Sequence, residues 1–114
     1  MGLFWTSESD RIIEQVENTA GEINRYLSKL QTSLMTNNGA THNNINELYD
    51  IDNNLANLQI KMTNLLSQLS PSKQSGITVS WIDGRHFPLV MWQMSYNAAI
   101  AKLKYAIQLY GQSI

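Results

Sequence analysis

Cysteine is missing from all 114 residues, which excludes disulfide bonds, thiolate nucleophiles and cysteine-based metal sites. Charge is also thin: 15% of residues are Asp, Glu, Lys or Arg and the formal net charge is -1, too little basic field for broad capture of nucleic acid by counterion release. No apolar run approaches the ~18 residues that cross a bilayer, so a membrane protein is not expected. The N-terminus lacks the basic region and apolar stretch of a secretory signal, and a cytosolic setting is the expectation. The glycines are scattered, and none completes the G-x-x-x-x-G-K phosphate-binding pattern.

Titratable groups are similarly dispersed. His42 and His86 have no neighbouring carboxylate or histidine at metal-ligand spacing. Asp50 and Asp52 stand two apart, which on a helix points them in different directions and disfavours a two-carboxylate catalytic pair. The chain therefore reads as a protein without catalysis, metal or cofactor.

Periodicity is the dominant positive signal. Ile13, Val16, Ala20, Ile23, Leu27, Leu30 and Leu34 follow alternating steps of three and four, one stripe of a helix, with Glu14, Glu17, Glu22, Arg25 and Lys29 outside it. Ser7 and Asp10 mark its start, and the spacing predicts a helix over residues 8–35. Residues 36–41 are Asn- and Gly-rich and suited to reversing the chain, with Thr41 or Asn43 able to cap the next helix. The stripe then repeats as Leu48, Ile51, Leu55, Leu58, Met62, Leu65 and Leu69. A second helix over residues 42–69 is predicted, lying antiparallel against the first as a rod of equal length. Asn24 and Asp52, beside the stripes, are candidates for fixing register.

Residues 70–76 read as a linker, because Pro71 cannot continue a helix and Gly76 permits a bend. Alternation from Ile77 to Trp81, followed by Asp83-Gly84, predicts a β-hairpin over residues 77–87. Pro88 suits the first turn of a helix, and Leu89, Trp92, Tyr96, Ala99, Leu103, Ala106 and Tyr110 continue at helical spacing over residues 88–110. The expected fold is thus mainly α in one domain, a helical hairpin over residues 1–70 and a β-hairpin plus helix over residues 71–114. Charge divides between these parts: four basic residues against eight acids in residues 1–70, net -4, and four against Asp83 alone afterwards, net +3.

Two helices with narrow seams bury only part of their apolar surface on each other, so the remainder needs cover from the C-terminal part or from another copy. This predicts a homo-oligomer, with Leu27, Leu30, Leu34, Leu55 and Leu58 among the association residues. An alternative places a planar or anionic small molecule, such as a nucleotide, among Trp81, Arg85, Trp92 and Tyr96, through stacking and guanidinium contacts. A third makes the chain an inhibitor that docks one helix face on a host enzyme. The segment Gly2-Leu3-Phe4-Trp5-Thr6 satisfies the formal pattern for N-myristoylation, although packing of Leu3, Phe4 and Trp5 on protein is the preferred reading.

Over residues 45–114, the order of helix, strand, Asp83-Gly84-Arg85 turn, short strand and helix resembles the small head-to-tail joining proteins of tailed phages, the lambda W-like group. In that group a D-G-R or D-G-Q hairpin connects two helices, and the N-terminal helix here is an addition to its compact pattern. The resemblance implies a non-enzymatic assembly part that forms rings in a virion, with other assembly proteins as partners.

Overall fold

The computed structural model describes residues 7–113, and the readings placed on Gly2, Leu3, Phe4 and Trp5 lie outside that range. Within it, four helices and one β-hairpin occur in the order α1 (Glu8–Asn37), α2 (Ile45–Leu66), α3 (Pro71–Ser75), β1 (Thr78–Ser80), β2 (His86–Pro88) and α4 (Leu89–Ser113).

Helix α1 starts where Ser7, in extended backbone, accepts a hydrogen bond from the Asp10 N–H at 3.0 Å. Glu8 and Asp10 place negative charge at the positive end of the helix dipole. Ile12, Val16, Ala20, Ile23, Leu27 and Leu30 form its buried line. Ile12 rather than Ile13 heads that line, and Ile13 is half-buried at its edge. Each such aliphatic side chain contributes roughly 1.5–3 kcal/mol when fully buried, so this line outweighs any cap or surface ion pair on the helix. The helix ends at Asn38, whose φ of 54° is left-handed, and the N–H of Gly39 (φ 112°) returns to the Leu34 carbonyl at 2.9 Å.

The reversal is organised by Asn44, a buried amide. Its Nδ2 donates to the Ser33 carbonyl (3.3 Å), the Ser33 hydroxyl (3.1 Å) and the Gly39 carbonyl (3.0 Å), while its Oδ1 accepts from the Thr41 N–H (2.7 Å). Neither Thr41 nor Asn43 caps α2 as expected: the Thr41 hydroxyl accepts from the Asn43 N–H at 3.2 Å within a turn over residues 42–44, and α2 begins after Asn44, three residues later than predicted. At the other end, α2 stops at Leu66. The Leu69 N–H bonds the Leu66 carbonyl at 3.0 Å in a tightened turn that still buries Leu69. The two rods are therefore unequal, 30 residues against 22.

The predicted linker is also corrected. Pro71 occupies the first turn of α3, where a missing N–H costs nothing, and the Ser70 hydroxyl caps it by accepting from the Lys73 N–H at 3.3 Å. Gln74 then turns its Nε2 onto the Leu66 and Leu69 carbonyls, at 2.9 and 3.1 Å, satisfying the open end of α2.

Strands β1 and β2 pair antiparallel with Val79 opposite Phe87, and Thr78 opposite Pro88. Pro88 thus closes the hairpin rather than opening the helix, which begins at Leu89 with its N–H on the Ile77 carbonyl at 3.0 Å. The Trp81 N–H donates to the Arg85 carbonyl (2.8 Å) and the Gly84 N–H to the Trp81 carbonyl (2.9 Å), so the loop has three residues with Gly84 (φ 87°) in the left-handed position.

Helix α4 closes the bundle against both earlier helices. Leu89, Trp92, Tyr96 and Leu103 are buried, and Leu103 is the last fully buried residue of the chain among those described. The molecule measures 62 × 24 × 22 Å, an elongated body set by the long axes of α1 and α4.

Candidate interaction surface

Helix α4 is apolar on more than one side. Leu89, Trp92, Tyr96 and Leu103 face inward, with Ala99, Ile100 and Ile107 packed beside them. On the opposite side Met91, Met94, Ala98, Ala101, Tyr105 and Leu109 succeed one another in steps of three and four, and all are exposed. Met94 keeps 68% of its surface in solvent and Tyr105 61%, although a helix apolar all round is ordinarily buried all round. This second stripe carries the same spacing signal as the seams of the first two helices. It becomes legible in the sequence only when the inward residues are removed, because the stronger inward row hides it.

Alongside the stripe runs a groove of about 570 Å³ between α1 and α4. Leu27, Leu30 and Leu34 line it from α1, Trp81 and Ile82 from the hairpin, and Ala98 and Ala99 from α4. Ala98 belongs to both features, so groove and stripe make one continuous apolar surface. Polar and charged groups border it sparsely, through Gln31, Ser95 and Lys102.

Leu27, Leu30 and Leu55 are core residues, reached from outside only where the first two line the groove. Leu34 and Leu58 are half-buried against the same core. The association surface expected on the first two helices is therefore largely consumed within the chain, because α4 and the hairpin cover it.

The four residues of the small-ligand alternative do not converge. Trp92 and Tyr96 stack on each other inside the core, with ring centroids 5.2 Å apart and planes inclined by 25°. The Trp92 indole donates to Asn24 Oδ1 at 3.0 Å. Arg85 is exposed at the hairpin turn, where its Nε donates to Asp83 at 2.6 Å and its guanidinium lies over Phe87 at 5.3 Å. Of the four, Trp81 alone lines the groove. The two polar residues suggested for register act elsewhere: Asn24 joins α1 to the hairpin and α4, and Asp52 receives Lys104 of α4 at 3.2 Å.

Among the described residues two titrations are displaced. The Arg85 backbone N–H, helped by its guanidinium, holds the Asp83 carboxyl below its ordinary value. Burial pushes the Tyr96 hydroxyl up to about 12. Among the described residues no three His, Asp or Glu side chains gather as metal ligands, and no helix is long and apolar enough to cross a membrane. Comparison of the chain with protein-family models, with curated proteins and with solved structures finds no match.

Proposed function

We propose that this chain is a non-enzymatic, oligomer-forming assembly protein that associates with further copies of itself through the outer face of α4. The observation that supports it is the second apolar stripe: methionine, alanine, tyrosine and leucine at coiled-coil spacing, left uncovered by a chain that covers the equivalent seams of α1 and α2. Charge depletion with Met and aromatic enrichment is the compositional mark of an interface core. The resemblance over residues 45–114 points to the same kind of role, in its fullest form a subunit of a tailed-phage head-to-tail joint located in the virion. The groove beside Trp81 supports a second reading, in which an apolar helix of a host protein seats there and the chain acts as an inhibitor.

Light scattering and sedimentation across concentration test the proposal. The expected result is a mass above that of one chain, falling on dilution, with Met94→Asp raising the dissociation constant by roughly a hundredfold or more while leaving helix content unchanged. Leu27→Asp is the control: a buried charge with no partner unfolds the chain. A wild-type protein that stays a single chain at every concentration sinks the assembly reading and favours the host-protein one.

A further inference from the structure

The outer stripe of α4 has a volume profile that reads almost the same in both directions. From its midpoint between Ala98 and Ala101, each direction meets first an alanine, then a bulky residue (Met94 one way, Tyr105 the other), then Met91 or Gln108, then Val90 or Leu109. Two helices that cross at an angle are closest at the crossing and diverge towards their ends. Alanines at the crossing allow close approach, and larger side chains on either side fill the widening wedge.

In an antiparallel pair related by a two-fold axis every layer is built from position i of one helix and its mirror position on the other, so this profile sets alanine against alanine at the crossing and Met94 against Tyr105 on either side of it. A parallel pair would instead set Met94 on Met94 and Tyr105 on Tyr105. In the antiparallel alignment each Tyr105 ring meets a flexible Met94 thioether, a favourable sulfur–aromatic combination, and the two helix dipoles oppose. Charge does not interrupt the face. Lys102 lies at its edge, and Lys104 is turned towards Asp52 on α2.

The area is of the right order. Val90, Met91, Met94, Tyr105 and Leu109 are 63%, 51%, 68%, 61% and 45% exposed, which amounts to roughly 600 Å² of residue surface per copy against about 800 Å² per partner in a standard interface. Exposed Asn97 and Gln112 supply an uncharged polar rim.

We propose that two copies pair through α4 in antiparallel orientation, about a two-fold axis passing between Ala98 and Ala101, with Met94 of each copy against Tyr105 of the other. This rests on the self-association reading above and specifies its first step: an isologous contact that closes at two chains, so any larger assembly is built from dimers through a separate surface.

Because the chain has no cysteine, two single-cysteine variants test the pairing directly. Met94→Cys and Tyr105→Cys are each checked for native helix content and for wild-type mass dependence on concentration, then oxidised alone and as an equal mixture. The antiparallel pair brings position 94 of one chain within disulfide range of position 105 of the other, so the mixture yields the mixed 94–105 dimer in severalfold excess over what either variant forms alone. Self-crosslinking of each variant alone, without the mixed product, overturns the antiparallel geometry while self-association stands. Association with no crosslink of either kind also overturns it, by placing the contact elsewhere. A strictly monomeric wild type overturns the self-association reading itself, and this inference with it.

Discussion

The indole N–H of Trp92 reaches the side-chain oxygen of Asn24 at 3.0 Å, joining two residues 68 positions apart. The same Asn24 amide donates to the Ser80 carbonyl of β1, so one side chain ties α1 to both the hairpin and α4. Every structural unit after α2 and α3 is thereby referred to a single point on the first helix.

Replacing Asn24 with alanine leaves the buried Trp92 N–H without an acceptor and releases the Ser80 carbonyl. The expected loss is about 1–3 kcal/mol. It is read as a lower urea midpoint with the slope unchanged, accompanied by a red shift of tryptophan emission as the Trp92 pocket loosens.

Asn44 presents a sterner case. It is buried, and its amide serves Ser33, Gly39 and Thr41 together, so Asn44→Ala strands several backbone groups at once. A loss of roughly 2–4 kcal/mol is expected, larger than for Asn43→Ala, whose side chain is exposed. Urea titration of the two variants side by side checks the difference.

The buried Tyr96 hydroxyl has no hydrogen-bond partner among the described residues, so Tyr96→Phe leaves stability at pH 7 unchanged or slightly higher. Alkaline pH separates the two proteins. The folded hydroxyl titrates at about 12 and the unfolded one near 10, so between those values the unfolded chain releases a proton that the folded chain retains. The stability contribution is therefore full below pH 10 and is lost as pH rises towards 12. Wild type should fall relative to Tyr96→Phe by roughly 1.4 kcal/mol between pH 9 and pH 11. Parallel denaturation curves at the two pH values would show no divergence if the ring were solvated.

The long helices are legible because aliphatic side chains at steps of three and four, from Val16 to Leu30 and from Leu48 to Leu65, leave a helix only one way to bury them. Boundaries set by polar side chains are less so. Pro71 reads equally as a stop for one helix and a start for the next, and Ser70 with Gln74 decides for a new turn through contacts that depend on the fold. Asn44 sits in a run of amides in which Asn43 looks an equal candidate, and only the approach of Ser33 from α1 distinguishes them. The interaction surface is the least legible part. Trp92 and Tyr96 suffice to explain α4 as a core helix, so the opposite row of Met94, Ala98, Ala101 and Tyr105 satisfies the same spacing rule without standing out. The covered and uncovered rows differ by tertiary placement alone.

The connection between α1 and α2 spans only residues 38–44, whereas seating Trp92 on Asn24 closes a circuit of 68 residues. Chain entropy penalises the longer closure more, so the two-helix pair is expected to form before α4 seats on it. Until α4 seats, the groove lined by Leu27 and Leu30 lacks its α4 side, which the α4 of a neighbouring chain can supply in its place. At high local concentration, exchange of this last helix between molecules is the misassembly to which such a topology is most exposed.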